Sequence, residues 1–249
     1  MPLGLHATTM ARYARRPPGP PRRNGPWKHG TIPVLGLVGG IGAGKSLVAA
    51  ELAARGASVL DADAVGHALL QQSPARDLVY ARFGDEILDP AGLIDRAALG
   101  TIVFSHPSAR GDLEAILHPR MRKTFERAID RAQRKGEVPA VVLDAAILYE
   151  AGWHTLCDLA AFVDAPEDQR LARVAAQRGW TAEVLAARES AQLPLDVKRS
   201  RAGIVVRNDA GPEGLHDQID ALWTRLQTPP RPKSRIGPRR PSRDAPEVI

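Results

Sequence analysis

The chain has 249 residues, a formal net charge of +6 and 44% hydrophobic residues, enough for one large domain with a sizeable core. No run approaches the ~18 apolar residues of a membrane span, no signal-peptide apolar region occurs, and a single cysteine, Cys157, excludes an intrachain disulfide or a cysteine-rich metal site. These features predict a soluble, cytoplasmic protein with no membrane partner.

The charge is unevenly spread. Residues 1–30 hold six Lys/Arg and no acid, residues 227–249 hold six with two acids, and 22 basic and 26 acidic residues remain between them, a net −4. The two ends also carry 12 of the 21 prolines. Segments so poor in apolar residues cannot offset the entropy of ordering, so 1–30 and 227–249 are expected to be disordered basic tails around one domain at 31–226. A nucleic-acid tether is the alternative for the tails. Apart from Tyr13 and Trp27 they lack aromatics that would stack on bases, so nucleic acid is not the expected partner.

The first element of the domain is an apolar strand, Val34 to Val38, running into Gly39-Gly40-Ile41-Gly42-Ala43-Gly44-Lys45-Ser46. This satisfies G-x-x-x-x-G-K-[ST], a phosphate-binding loop whose glycines let backbone N–H groups approach phosphate oxygens. Lys45 is the compact charge for the β/γ-phosphates and Ser46 the hydroxyl for Mg²⁺. Leu47 to Arg55 are good helix formers, so the phosphates would meet a helix N-terminus.

A second strand, Ala57 to Leu60, ends in Asp61-Ala62-Asp63. Carboxylates at the carboxyl end of a strand beside a phosphate loop point to the ligand crevice. Two residues apart in an extended chain, their side chains share a direction, so spacing leaves open which of Asp61 and Asp63 would serve as a base. A helix over 64–72 then places His67 one turn from Asp63. Residues 74–135 read as a helical insertion for a second substrate. Within it Phe83-Gly84 ends a helix, Asp89-Pro90-Ala91-Gly92 makes a turn, and a short helix covers 93–104. The prolines at 107 and 119 are each expected to break and restart a helix. Met121, Phe125 and Ile129 mark its buried face. Further strands follow at 139–144, which resembles a Walker-B strand ending in Asp144, and at 159–164 and 203–206. Between the last two, Arg170, Arg173 and Arg178 suit a lid over about 170–192 that closes on phosphates. A final helix spans about 212–226. Strands alternating with helices predict an α/β fold, a P-loop NTPase-type parallel sheet flanked by helices.

A phosphate loop alone does not separate kinases from GTPases and motors. No guanine-reading N-K-x-D string occurs, and the chain is short for a motor, which leaves a small-molecule kinase. A nucleotide-dependent binding protein using the basic tails is the rival of a different class.

Beyond the loop, an ordered set of residues resembles the dephospho-coenzyme A kinase family. It comprises Asp61-Ala62-Asp63 with His67, Phe83-Gly84, Asp95-Arg96 with Leu99 and Val103-Phe104, and Leu113-Glu114-x-Ile116-x-His118-Pro119. Leu148-Tyr149-Glu150, Arg178-Gly179-Trp180, Gln192 with Lys198, and Asn208 complete it. The similarity spans roughly residues 32–226. It implies transfer of the ATP γ-phosphate to the ribose 3′-hydroxyl of dephospho-coenzyme A, yielding coenzyme A and ADP, with Mg²⁺; a P-loop kinase of another small acceptor such as a nucleoside is the alternative. By this resemblance Gly42, Ala43, Gly44, Lys45, Ser46 and Leu47 bind ATP, Asp63 is the base for the acceptor hydroxyl, and Arg178 belongs to the lid. The chain departs from the family at Leu47, where a hydroxyl residue is usual, and at Arg207, which would put positive charge near the adenine end.

Overall fold

A computed structural model describes residues 24–209 and 211–229. Five parallel strands form one sheet in the order β2-β3-β1-β4-β5: β1 Val34–Gly39, β2 Ser58–Asp61, β3 Val141–Asp144, β4 Leu159–Asp164 and β5 Ile204–Arg207. Every residue of β1 is buried, which is why this strand reads as an unbroken apolar run: helices cover both faces. The register pairs Leu37 and Asp61 each with Asp144, and Gly39 with Val163. The carboxyl ends carrying the phosphate loop and the acidic residues therefore meet at one edge of the sheet.

On one face, α1 (Lys45–Ala54) and α9 (Gly211–Gln227) bury Val48, Leu52, Ile219 and Leu226 against Leu35, Leu37 and Val142. On the other face lie α2 (Ala62–Leu70), α3 (Ala75–Phe83), α4 (Arg96–Ser105) and the 29-residue α5 (Pro107–Lys135). They enclose Val79, Ile87, Phe125 and Ile129 with Val38, Leu143 and Phe162. Two further helices, α6 (Glu167–Arg178) and α7 (Ala182–Glu189), rise beside the phosphate loop, and α8 (Leu195–Arg201) leads back to β5.

The expected helix break at Pro119 does not occur: α5 runs through it. A proline inside a helix costs about 3 kcal/mol. Leu117, Met121, Phe125 and Ile129 are all buried along one face, and each contributes about 1.5–3 kcal/mol by burial. Packing therefore outweighs the local cost. The Arg120 side chain also donates to the Ile116 carbonyl at 2.5 Å, within the turn that the proline loosens. Pro107, by contrast, does open the helix, as expected.

The boundary expected at residue 31 falls inside a packed segment. Trp27 is buried and bridges Gly30. Lys28 donates its backbone N–H to Asp158 at 2.6 Å and its ammonium to the carbonyls of Thr155 and Cys157. One aromatic anchor, with the bonds of Lys28 and that of His29 to the Leu156 carbonyl, docks a segment that composition assigns to a tail. Residues 1–23 and 230–249 lie outside the described residues. Among the described residues, no helix is long and apolar enough to cross a membrane.

Candidate active site

A cavity of about 540 Å³ opens at the carboxyl edge of the sheet. Its floor is the loop between β1 and α1. Gly42 and Gly44 have φ values of 77° and 96°, in the left-handed region that favours glycine. Neighbouring groups press on the loop as well: a Cβ on Gly44 would lie 2.2 Å from Asn208 Nδ2. Asn208 donates that amide to the Ala43 carbonyl at 2.9 Å. No side chain caps α1 and no acid stands in its first turn, so its leading N–H groups are left for an anion. Lys45 folds over the loop, donating to the Gly39 and Gly40 carbonyls at 3.2 and 3.0 Å. Burial holds its ammonium below the usual lysine range, with Asp144 pulling the other way.

Three carboxylates line the opposite wall: Asp61, Asp63 and Asp144. Asp61 closes β2 and caps α2, accepting from the Ala64 N–H at 3.0 Å. Asp63, expected at an extended strand end, instead sits in the first turn of α2. Both nevertheless line the cavity. Asp144 has its carboxyl raised to about 6, chiefly by burial, against the pull of Lys45 and with repulsion from Asp61 and Asp63. Its position at the end of β3 matches the Walker-B expectation. His67 is not among the lining residues, and burial and Arg96 hold its imidazole below its usual range.

The three arginines of α6 have separate fates. Arg170 is 5% exposed and pairs with Glu189 of α7. It also donates to the Ile41 carbonyl at 3.3 Å, while Glu189 accepts the Ile41 N–H at 3.2 Å. It therefore braces the loop and does not face the cavity. Arg173 lines the cavity and reaches the carbonyls of Gly42, Ala43 and Asn208 at 3.1–3.4 Å. Arg178 lines the cavity and stacks on Trp180, 4.9 Å from the ring centre. Leu47 is half exposed and lines the cavity, as do Gln177, Asn208 and Leu215. Arg207 is exposed and outside the lining; its backbone pairs with the Gln218 side chain at 2.6 and 2.9 Å.

Residues remote in sequence meet behind the cavity. Lys198 is fully buried, donates to Ala146 O and Gln192 Oε1 at 2.8 and 2.7 Å, and forms an ion pair with Glu150 at 2.7 Å. Its buried charge is thus paired and hydrogen-bonded. Glu150 also accepts the Leu193 N–H at 2.9 Å. This ties α8 and the segment after α7 to the loop following β3. Glu189 and Gln177 carry no local sequence signal for their positions; Asn208 was legible only as part of the ordered resemblance.

The family model described as dephospho-CoA kinase matches residues 33–213. A dephospho-CoA kinase of Anaeromyxobacter dehalogenans is 42% identical over 195 residues, covering 78% of this chain and 92% of the relative. One of Symbiobacterium thermophilum is 40% identical over 191 residues, covering 76% and 80%. Among solved structures, TT1252 from Thermus thermophilus aligns with a TM-score of 0.68 at 34% identity, covering 78% of this chain and 98% of that one. A dephospho-CoA kinase from Campylobacter jejuni shares the fold at 19% identity, with a TM-score of 0.59 and coverage of 78% and 96%.

Proposed function

This chain belongs to the dephospho-coenzyme A kinase family, and from that premise we propose how its residues divide the transfer of an ATP γ-phosphoryl group to the ribose 3′-hydroxyl of dephospho-coenzyme A. The observation that carries the assignment is the convergence of Lys45, Asp63 and Arg178 on one cavity at the carboxyl edge of the sheet. Residues Gly42 to Leu47 hold the ATP phosphates, with Lys45 on the β/γ oxygens. The acceptor hydroxyl oxygen attacks the γ-phosphorus as the bond to ADP breaks, and Asp63 orients that hydroxyl and takes its proton. Asp63 is the better placed of the two candidates, because Asp61 is engaged in capping α2. Arg178 offsets charge on the moving phosphoryl group.

The donor set suits Mg²⁺. Ser46 and the carboxylates of Asp61, Asp63 and Asp144 share the cavity, an all-oxygen donor set of the kind a hard cation takes. Ser46 would hold Mg²⁺ there, and the ion would supply positive charge to offset that of the phosphates.

We place this activity in the cytoplasm, on small molecules; the net −4 of residues 31–226 argues against a nucleic-acid partner for the domain. The test is an acceptor panel with an ADP-release readout and direct detection of coenzyme A. Dephospho-coenzyme A is expected to be the preferred acceptor. A nucleoside phosphorylated in its place would overturn the reading.

A further inference from the structure

Arg188, on α7, is absent from the cavity lining and from the expected site. Its guanidinium carbon lies over two aromatic rings, 4.1 Å from the centre of Trp180 and 4.2 Å from that of Phe104. Phe104 belongs to α4 in the helical layer, and 57% of it is exposed. Trp180 lies between α6 and α7. The arginine therefore joins α4 to the connection between α6 and α7, which begins next to the cavity-lining Arg178.

A guanidinium stacked on rings has its π faces occupied and its N–H donors directed outward in its plane. Among the described residues no carboxylate or carbonyl takes the donors of Arg188, nor those of Arg178. The nearest carboxylate in sequence, Glu189, is committed to Arg170 and to the Ile41 N–H. Arg178 shares the Trp180 ring, so two cations stand on one indole. Burial, and then Arg178, lower the proton affinity of Arg188. Two cations held together without an acid are arranged for an anion with more than one negative group.

The substrates supply a reason for such a site. A cavity of about 540 Å³ has the scale of one nucleotide-sized ligand, whereas the reaction brings together two nucleotides. Part of the acceptor therefore extends beyond this cavity, and Arg188 shares the Trp180 ring with Arg178 of the lining. Resting on the functional reading above, we propose that Arg188, stacked on Trp180 and Phe104, binds the diphosphate bridge of the acceptor nucleotide and so selects diphosphate-bearing acceptors over plain nucleosides.

Steady-state kinetics of the full chain test this with Arg188→Ala and Arg188→Lys. The alanine variant is expected to raise KM for dephospho-coenzyme A by roughly 10–100-fold, the range for losing hydrogen bonds to a charged group. KM for ATP should move by less than about threefold. Lysine should restore only part of the loss, because it keeps charge without the planar fork. The efficiency ratio of dephospho-coenzyme A to adenosine, which lacks the diphosphate, should fall by the same factor as the rise in KM. Two results overturn the proposal: KM values for ATP and acceptor rising together, or equal losses toward adenosine and dephospho-coenzyme A, as a strut between α4 and α7 would give. Failure of the underlying reading looks different, since the unaltered chain would then form no coenzyme A.

Discussion

The two ends of α6 carry the same side chain in opposite surroundings. Arg170, near the start, is buried, paired with Glu189 and bonded to the Ile41 carbonyl. Arg178, at the last position, lines the cavity and stacks on Trp180 with its donors open among the described residues. About two turns of helix separate a brace from a ligand-ready cation. A charge whose partners are already in place contributes to the fold and to the shape of the phosphate loop. A charge left unpaired at a cavity is available to whatever charge appears there during reaction. The same division holds for the acids: Asp61 spends an oxygen capping α2, while Asp144 is held above its usual range chiefly by burial.

If that division is right, substitutions sort into those that cost turnover and those that cost the fold. The largest effect belongs to the reacting groups. Asp63→Asn and Lys45→Ala should each lower turnover by roughly 10²–10⁴-fold with folding intact, measured as coenzyme A formation beside circular dichroism. Asp61→Asn should cost less and act mainly on stability through its cap. A dead Asp61→Asn beside an active Asp63→Asn would exchange their roles.

Arg170→Met should destabilise the chain by about 3 kcal/mol, the lower end for breaking a buried pair because Glu189 keeps some contact with water. Urea unfolding measures this. A stable variant with impaired turnover would instead return Arg170 to the lid role expected from its sequence position.

Asp144 gives a pH signature. Its carboxyl binds protons more tightly in the folded chain, at about 6, than in the unfolded chain at about 3.9. It therefore adds stability below the unfolded value, and that contribution is lost as pH rises through about 6. At pH above ~7 the ionised form is a net cost, so Asp144→Asn should stabilise the ligand-free protein by up to about 3 kcal/mol while impairing turnover. Melting temperatures from pH ~4.5 to ~8 would check it; a variant with the wild-type pH slope would remove Asp144 as the source.

Arg178→Ala should lower turnover by roughly 10–10²-fold with a smaller change in ATP affinity, because its contribution grows as charge develops on the phosphoryl group. Arg170 is locked in place and offers no rescue. The smallest effect is expected at the N-terminus. Removing residues 1–23 should leave turnover within about twofold, since composition assigns that segment no core face. Removing 1–30 also deletes Trp27 and the Lys28 contacts and should lower the melting temperature by several degrees.

The phosphate loop, the parallel sheet and the strand-end acids were legible in the sequence because each depends on a short stretch of chain. A glycine pattern sets backbone conformation locally, and an apolar run bounded by turns becomes a buried strand wherever helices can cover it. The ordered motifs from Asp61 to Asn208 identified the family for the same reason, and the family match to residues 33–213 agrees with them. The tertiary structure decided matters of competition and of meeting. Pro119 stays helical because four buried apolar side chains outweigh one local penalty. The segment 24–30 docks because Trp27 finds a pocket, which no composition count registers. Arginines identical in sequence became brace or open cation according to whether a carboxylate from another helix arrived beside them. Glu189 chose Arg170, and the choice left Arg178 and Arg188 with Trp180. Which charge is neutralised depends on distances across the fold, and those exist only once the chain has folded.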